Sequence, residues 1–363
     1  MNKKKILIAT GGTGGHVFPA YSLAKHLINN NYKVKLTTDE RGLKYLKDLE
    51  NLDVVKISSS PLIKKNIFKF LFSIFIICVA IVKSLIFLIF NRPSIIFGMG
   101  GYSSFPICIA ASILRIKFII YENNLILGKA NKYLLPFAKK LFVSFKDLEG
   151  IKRKYDKKIF QIGNIIRKEI IDLNITNTEN DLDKLNILVL GGSQAAEVFA
   201  NELPPIIYKL KKSEILVKVY QQCLKKQNTQ LSHYYKKNGI EHEIFNFTDN
   251  ILKYYSSANL VITRSGASVL GELINIKKAF ISIPLPSAAD NHQYKNAEFY
   301  KKKGYGYFLE EKDIKDKLFD LIRSFTENNL LIKNLLSNQR QYSDKNIFTI
   351  LNKKLDEILN EKN

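Results

Sequence analysis

Short apolar runs alternate along the chain with longer stretches of mixed polarity. KILIAT (5–10), KVKLTT (33–38), DVVKI (53–57), SIIFG (94–98), KFIIY (117–121) and LFVS (141–144) occupy the first half. NILVLG (186–191), ILVKVY (215–220), NLVIT (259–263) and AFISIP (279–284) occupy the second. The runs are rich in β-branched residues, and the segments between them are long enough for helices. That alternation predicts βαβ units and parallel sheets, an α/β protein.

The opening has an echo. ILIATGGTGGH (6–16) and ILVLGGSQAA (187–196) each give an apolar strand, Gly-Gly, a hydroxyl residue and the start of a helix. Two such units half a chain apart predict two Rossmann-like domains with parallel sheets facing across a cleft, and 363 residues suffice for both. The polar stretch IDLNITNTENDLDK (171–184) reads as the link. Glycine lets backbone N–H groups approach an anion, and a helix N-terminus adds partial positive charge, so a diphosphate suits these turns. GGTGGH is neither the GxGxxG dinucleotide fingerprint with its ribose-binding acid nor a P-loop ending in Gly-Lys-Ser/Thr, which disfavours ordinary dehydrogenases and NTPases.

NIFKFLFSIFIICVAIVKSLIFLIFN (66–91) is the most hydrophobic stretch. On a helix, Lys65, Asn66, Lys69, Ser73, Lys83, Ser84 and Asn91 fall within about one 100° wedge, and the rest of the circumference is apolar. The flanking strands belong to one sheet, which a membrane crossing would divide. The expectation is one or two helices resting partly on the sheet and partly in a bilayer face, with lysines at the interface. A fully buried helix and a transmembrane span are the alternatives.

The formal net charge is +23. The lysines are scattered, with no Arg-rich arm and no basic stretch interleaved with aromatics, so no nucleic-acid partner is expected. An anionic membrane surface or a phosphate-bearing substrate fits the sign better. Cys78, Cys108 and Cys223 lie far apart, without CxxC or Cys/His spacing, and suggest neither disulfides nor a zinc site. The apolar run in MNKKKILIAT is too short for a signal peptide, so a reducing cytoplasm is expected.

Polar residues gather where strands end. NLVITRSGASVLGELI (259–274) reads as strand, turn and helix, with Arg264 and Ser265 in the turn and Glu272 about two helical turns further on. A carboxylate there can accept both hydroxyls of a ribose, or can simply face solvent on a capped helix. LPSAADNHQYKNA (285–297) crowds Asp290, Asn291, His292, Gln293 and Asn296 after a strand, a mixture of donors and acceptors suited to sugar hydroxyls. GMGGYSSFP (98–106) is a second glycine turn, YENN (121–124) puts Glu122 and Asn124 on the same rim, and GNIIR (163–167) brings Arg167 to the domain junction, where it suits phosphate.

Together these motifs resemble the MurG family of bacterial glycosyltransferases. The resemblance covers nearly the whole chain: GGTGGHVFPA, GMGGYSSFP, YENN, GNIIR, GGSQAA, RSGASVLGE (264–272) and DNHQYKNA (290–297), in the family's order and spacing. It implies the GT-B fold, with an acceptor- and membrane-binding domain over 1–162, a UDP-sugar-binding domain over 163–340 and a C-terminal helix over 341–363 returning to the first. It implies transfer of N-acetylglucosamine from UDP-N-acetylglucosamine (UDP-GlcNAc) to undecaprenyl-diphosphate-linked N-acetylmuramoyl-pentapeptide, making lipid II. The enzyme would work at the cytoplasmic face of the inner membrane, without metal or cofactor. Other cell-wall synthesis proteins are conceivable partners.

Carried onto this chain, Thr13, Gly14 and Gly15 would lie near the diphosphates, and Tyr102, Glu122, Asn124 and Asn131 would line the acceptor side. Arg167 and Ser193 would approach the donor diphosphate and Thr248 the uracil, with Gln194 a further substrate-binding candidate beside Ser193. Ala267, Ser268, Val269, Leu270, Gly271 and Glu272 would form the nucleotide loop, Glu272 on the ribose, and Gln293 would contact the transferred sugar, with Arg264, Ser265, Gly266 and His292 as further substrate-binding candidates. The chain departs from the family pattern at Tyr121, where the pattern has histidine, at Ile165, where it has proline, at Ala195 and Glu197, where it has glycine and arginine, and at Ala200, where an asparagine is often found. Inversion at the anomeric carbon needs a base beside the acceptor hydroxyl and positive potential around the leaving diphosphate. His16 is the favoured base and Glu122 its competitor. A diacylglycerol acceptor, or a membrane-bound UDP-sugar sensor without turnover, are the alternative readings.

Overall fold

A computed structural model describes residues 3–46, 52–57, 59–60, 66–173, 184–192, 196–248 and 250–361. It divides into two compact units. One comprises residues 1–168 with 344–363, and the other residues 169–343. Most of the stretch read as a link, 174–183, lies outside the described residues, as does Lys65.

The first unit is built on a sheet of β1 (Lys5–Ala9), β2 (Lys33–Thr38), β3 (Asp53–Lys56), β4 (Ile95–Gly98), β5 (Phe118–Glu122), β6 (Lys140–Val143) and β7 (Ile159–Gln161), in the order β3-β2-β1-β4-β5-β6-β7. The second is built on β8 (Lys184–Leu190), β9 (Leu216–Gln222), β10 (Glu241–Phe245), β11 (Leu260–Thr263), β12 (Ala279–Ser282) and β13 (Tyr307–Phe308), in the order β10-β9-β8-β11-β12-β13. The ladders joining these strands are parallel, with Ile8 paired to Leu36 on one side and Phe97 on the other, and Leu188 to Tyr220 and Val261. Central strands are covered on both faces: Ile6, Leu7, Ile8 and Ala9 are all buried, as are Ile187, Leu188 and Val189. This explains why they read as unbroken apolar runs, each large side chain contributing roughly 1.5–3 kcal/mol by leaving water.

Both sheets reverse their winding next to the first strand of the unit, between β1 and β4 and between β8 and β11. Loops following parallel strands emerge on one edge, and the reversal opens a crevice between two of them. In the first unit those loops are the two glycine turns. In the second they begin Gly191-Gly192 and Arg264-Ser265.

Helices α1 (Gly14–Asn29), α2 (Glu40–Leu43), α3 (Ile67–Asn91), α4 (Gly101–Ile113) and α5 (Lys129–Leu134) belong to the first unit. So does the last helix, Ile347–Asn360. It buries Leu351, Leu355 and Ile358, stacks Phe348 on His26 at 4.2 Å between ring centroids, and accepts His26 on Asn352 at 2.8 Å.

Helix α3 is a single helix of 25 residues, long and apolar enough by length and composition to cross a membrane. Its buried residues are Ser73, Ala80, Ser84 and Leu88. The serine hydroxyls are satisfied within the helix, bonding the carbonyls of Lys69 and Ala80 at 2.7 Å each. Small side chains on that stripe let α3 lie closely on the protein. The bulky side faces outward, with Phe68, Phe72, Phe75, Ile89 and Phe90 all more than half exposed. A fully buried helix is therefore ruled out. The wedge expected to be polar is divided, its serines turned inward and Lys69 and Lys83 exposed.

Two of the departures noted in the sequence meet in the core of the first unit. The Ile165 N–H, which the proline of the family pattern lacks, donates to the Tyr121 hydroxyl at 2.9 Å. That hydroxyl donates in turn to the Gly163 carbonyl (3.2 Å) and lies 3.0 Å from Ser144 Oγ. Both side chains are buried. An amide in this position needs an acceptor, and Tyr121 supplies it. Tyr121→Phe should therefore cost about 1–3 kcal/mol by orphaning that amide. Adding Ile165→Pro should make the double variant more stable than the two single losses predict by about 0.5–3 kcal/mol in urea unfolding, whereas strict additivity would contradict the coupling.

Candidate functional site

In the first unit the turn after β1 is held from outside by an acid that sequence reasoning missed. Asp39, directly after β2, accepts the N–H of Gly12 and of Gly42 on Oδ1, both at 2.9 Å. Its Oδ2 accepts the Tyr102 hydroxyl at 2.8 Å. Gly11 has no room for a side chain, since a Cβ would stand 2.6 Å from Ser103 Cβ and 2.7 Å from Asp39 Oδ1. Burial alone would raise the Asp39 carboxyl, but bonds from the Gly12 and Gly42 amides and from Tyr102 outweigh it and hold the group below its usual range. The Tyr102 hydroxyl is pushed up to about 12, by burial and then by its bond to Asp39, so it stays a donor at neutral pH. The signal was an acid closing the second strand, the place where dinucleotide sheets keep a ribose-binding carboxylate. Here it binds the glycine turn instead.

Thr13 is the N-cap residue of α1 and makes no side-chain cap bond. Gly14 and Gly15 open the helix, and the Gly15 carbonyl accepts from Asn123 Nδ2 at 3.2 Å. His16, in the first turn, lays its ring on the second glycine turn. A Cβ on Gly100 would stand 3.1 Å from ring atoms Cε1 and Nδ1, and the φ of +84° there also favours glycine. His16, Tyr102 and both glycine turns are therefore brought together.

Glu122, at the end of β5, is 3% exposed. It accepts the Asn124 N–H (3.1 Å) and Nδ2 (2.9 Å), the Gly128 N–H (2.9 Å) and Asn131 Nδ2 (3.0 Å). Four donors on one carboxylate make an anchor for the segment after β5. Asn131 also donates to the Tyr121 carbonyl at 3.0 Å, and its buried Oδ1 has no hydrogen-bond partner among the described residues. A buried acceptor of that kind invites a donor from a ligand or water. Arg167 places its guanidinium 5.9 Å from the centroid of the Phe18 ring on α1.

In the second unit Gly191 N–H donates to Gln222 Oε1 at 3.1 Å, fixing the turn after β8. Ser193, Gln194 and Ala195 lie outside the described residues. Glu197, the acid that opens helix Glu197–Lys212, is paired with Lys226 at 2.7 Å, both side chains more than half exposed. After β11, Arg264 is nearly buried and structural in its contacts: it meets Glu311 at 2.5 Å, donates to the Pro284 carbonyl at 3.1 Å and covers the Phe199 ring. The Ser265 carbonyl accepts from Asn296 at 3.1 Å, while the buried Ser265 Oγ has no partner among the described residues.

Gly266 starts helix Ala267–Asn275 without a side-chain cap. Ser268 and Val269 are half-buried, whereas Leu270 and Gly271 are buried, so Leu270 belongs to the core and can offer a ligand only its main chain. Glu272 is nearly buried, and the Tyr255 hydroxyl donates to its Oε2 at 2.7 Å. No feature of the sequence marked Tyr255. Thr248 Oγ1 accepts the Asn250 N–H at 3.0 Å after β10. After β12, Gln293 Oε1 accepts the Leu285 N–H at 2.9 Å and His292 Nδ1 lies 2.7 Å from the Ala289 carbonyl. The segment turns through Asp290 and Asn291, both left-handed at φ near +52° and +55°.

The glycosyltransferase family 28 N-terminal domain matches residues 6–143 and the family 28 C-terminal domain residues 186–353. The UDP-N-acetylglucosamine–N-acetylmuramyl-(pentapeptide) pyrophosphoryl-undecaprenol N-acetylglucosamine transferase of Pelagibacter ubique (strain HTCC1062) is 36% identical over 99% of both chains. The enzyme of the same name from Rickettsia canadensis (strain McKiel) is 38% identical over 88% of this chain and 91% of its own. Among solved structures, MurG of Acinetobacter baumannii superposes with a TM-score of 0.77 at 24% identity, covering 98% of this chain and 99% of that one. The UDP complex of S. aureus MnaA gives 0.69 at 15% identity over 99% of both. These two likenesses speak for the GT-B fold alone.

Asp39 supplies the test of the first site. A carboxyl depressed in the folded state stabilises fully above its unfolded value of about 3.9, and that stability is lost as pH falls through the lower folded value. Asp39→Asn should cost about 1–3 kcal/mol at pH 7 in urea unfolding. The gap should narrow at pH 3. A gap that widens on acidification would contradict the assignment.

Proposed function

Since the chain belongs to glycosyltransferase family 28 and, within it, to the MurG family of its curated relatives, we infer that it moves N-acetylglucosamine from UDP-GlcNAc to the C4 hydroxyl of undecaprenyl-diphosphate-linked N-acetylmuramoyl-pentapeptide, making lipid II. The observation that carries this reading is 36% identity over 99% of both chains to an enzyme named for that transfer. The relatives' names specify a diphosphate-linked acceptor, which favours this reading over a diacylglycerol acceptor or a sensor without turnover.

The first unit holds the acceptor. Its glycine turns and the uncapped start of α1 offer amides and partial positive charge to the acceptor diphosphate. His16 takes the proton of the attacking hydroxyl, being an imidazole at the turn itself. Glu122, whose carboxylate is engaged by four donors, positions Asn124 and Asn131 rather than acting as the base. The second unit holds the donor. Glu272, oriented by Tyr255, accepts the ribose hydroxyls, the turn Ser265–Ser268 and the start of helix Ala267–Asn275 meet the nucleotide, and Gln293 contacts the sugar. Negative charge growing on the departing UDP is met by helix N-termini and Arg167.

Helix α3 supports a place on the cytoplasmic face of the inner membrane. Its outward aromatic and aliphatic side chains form a larger apolar surface than water tolerates, and exposed Lys69 and Lys83 can reach headgroups from its flank.

The test is transfer of radiolabel from UDP-GlcNAc into the lipid-linked acceptor. Wild type should label lipid. His16→Ala should lower kcat about 10²–10⁴-fold with little change in the KM for UDP-GlcNAc, and Glu272→Ala should raise that KM about tenfold or more. UDP binding with no lipid labelling by the wild type would overturn the assignment.

A further inference from the structure

We propose that Arg41 is a direct contact for the acceptor's diphosphate, aimed at the first glycine turn by Tyr102 and Asp39. The inference rests on the acceptor reading of the first unit and names a residue for it. Arg41 lies in the first turn of α2, the short helix that Asp39 starts by accepting the Gly42 N–H. Its guanidinium centre stands 5.0 Å from the centroid of the Tyr102 ring, and Nη2 donates to the Tyr102 hydroxyl. Nε lies 3.7 Å from Asp39 Oδ2, the oxygen that Tyr102 also reaches. A planar cation held over an aromatic face and bonded to its hydroxyl loses most of its rotational freedom before any ligand arrives.

The direction in which it is held matters. Nη2 stands 3.5 Å from the point where a Cβ on Gly12 would be, so the cation borders the second glycine of GGTGGH. Asp39 does not cancel it for an incoming anion. That carboxylate is 5% exposed and turned onto two amides, whereas the Arg41 side chain is 50% exposed. Around the same turns begin α1 and α4, neither with an acid in its first turn and neither with a side-chain cap. Uncapped amides, two helix starts and a fixed guanidinium fork converge on a glycine-rich turn. At 3.7 Å, and with the guanidinium half in water, the Asp39–Arg41 pairing by itself gives little reason for so defined a placement. A phosphate oxygen pair matches the fork. Because a diphosphate carries more charge and more oxygens than a monophosphate, the contact also distinguishes the two linkages.

Steady-state kinetics with two synthetic acceptors, alike except for a diphosphate or a monophosphate between sugar and lipid, test this. Arg41→Ala should raise the KM for the diphosphate acceptor about tenfold, the equivalent of one charge-assisted contact. It should shift the monophosphate acceptor less, and leave the KM for UDP-GlcNAc and the thermal midpoint close to wild type. Arg41→Lys, which keeps the charge and loses the fork, should fall between, and it carries the comparison if the alanine variant does not fold. Equal effects on the two acceptors, an effect confined to UDP-GlcNAc, or no effect would overturn the role of Arg41 while leaving the function intact. A wild type that glycosylates neither acceptor would overturn both.

Discussion

The carboxylate of Asp39 joins three turns that the chain supplies from separate places. One oxygen takes the amides of Gly12 and Gly42, and the other takes the hydroxyl of Tyr102. Each of these turns follows a strand of one parallel sheet, so each emerges on the same edge, and the reversal of strand order between β1 and β4 leaves room between two of them. A glycine-rich turn has little of its own to hold its shape against water. A buried acid that accepts its amides can, and the geometry around His16 and Arg41 follows from that constraint.

Much of this was legible in the chain. Strands covered on both faces must be largely apolar, which is why nine of the ten runs read from the sequence are inner strands of the two sheets; the tenth, DVVKI, is the edge strand β3. The strands that escaped notice were β7, β10 and β13, and all three lie at sheet edges. EHEIF (241–245) opens with three polar residues because an edge strand is only partly covered, and Tyr307–Phe308 is too short to form a run. Sequence motifs also located the turns of both sites. They did not show how those turns are braced, because Asp39 and Tyr255 act through contacts made by distant parts of the chain. Tyr121 and Ile165 are a related case. Separately each is a departure from the family pattern, and only their 2.9 Å hydrogen bond makes them one compensated change.

Helix α3 illustrates what periodicity can and cannot decide. The pattern located a stripe containing serines and an apolar remainder, but an amphipathic stripe does not say which side meets the protein. Close approach favours the small residues Ser73, Ala80 and Ser84, and the two serine hydroxyls bond carbonyls of their own helix. The bulky side is left outward, an orientation that accords with the membrane-face placement proposed above.

If the turns braced by Asp39 take the acceptor and Glu272 takes the donor's ribose, as proposed above, the enzyme joins two sugars by direct displacement. The most direct measurement is the structure of the product. Purified protein would be supplied with UDP-GlcNAc and the diphosphate-linked acceptor, and the anomeric proton of the new linkage read by NMR alongside UDP release. The account predicts a β-linked N-acetylglucosamine on the C4 oxygen of the lipid-linked sugar, with one UDP formed for each linkage. An α-linkage, or UDP released without a lipid-linked disaccharide, would contradict it.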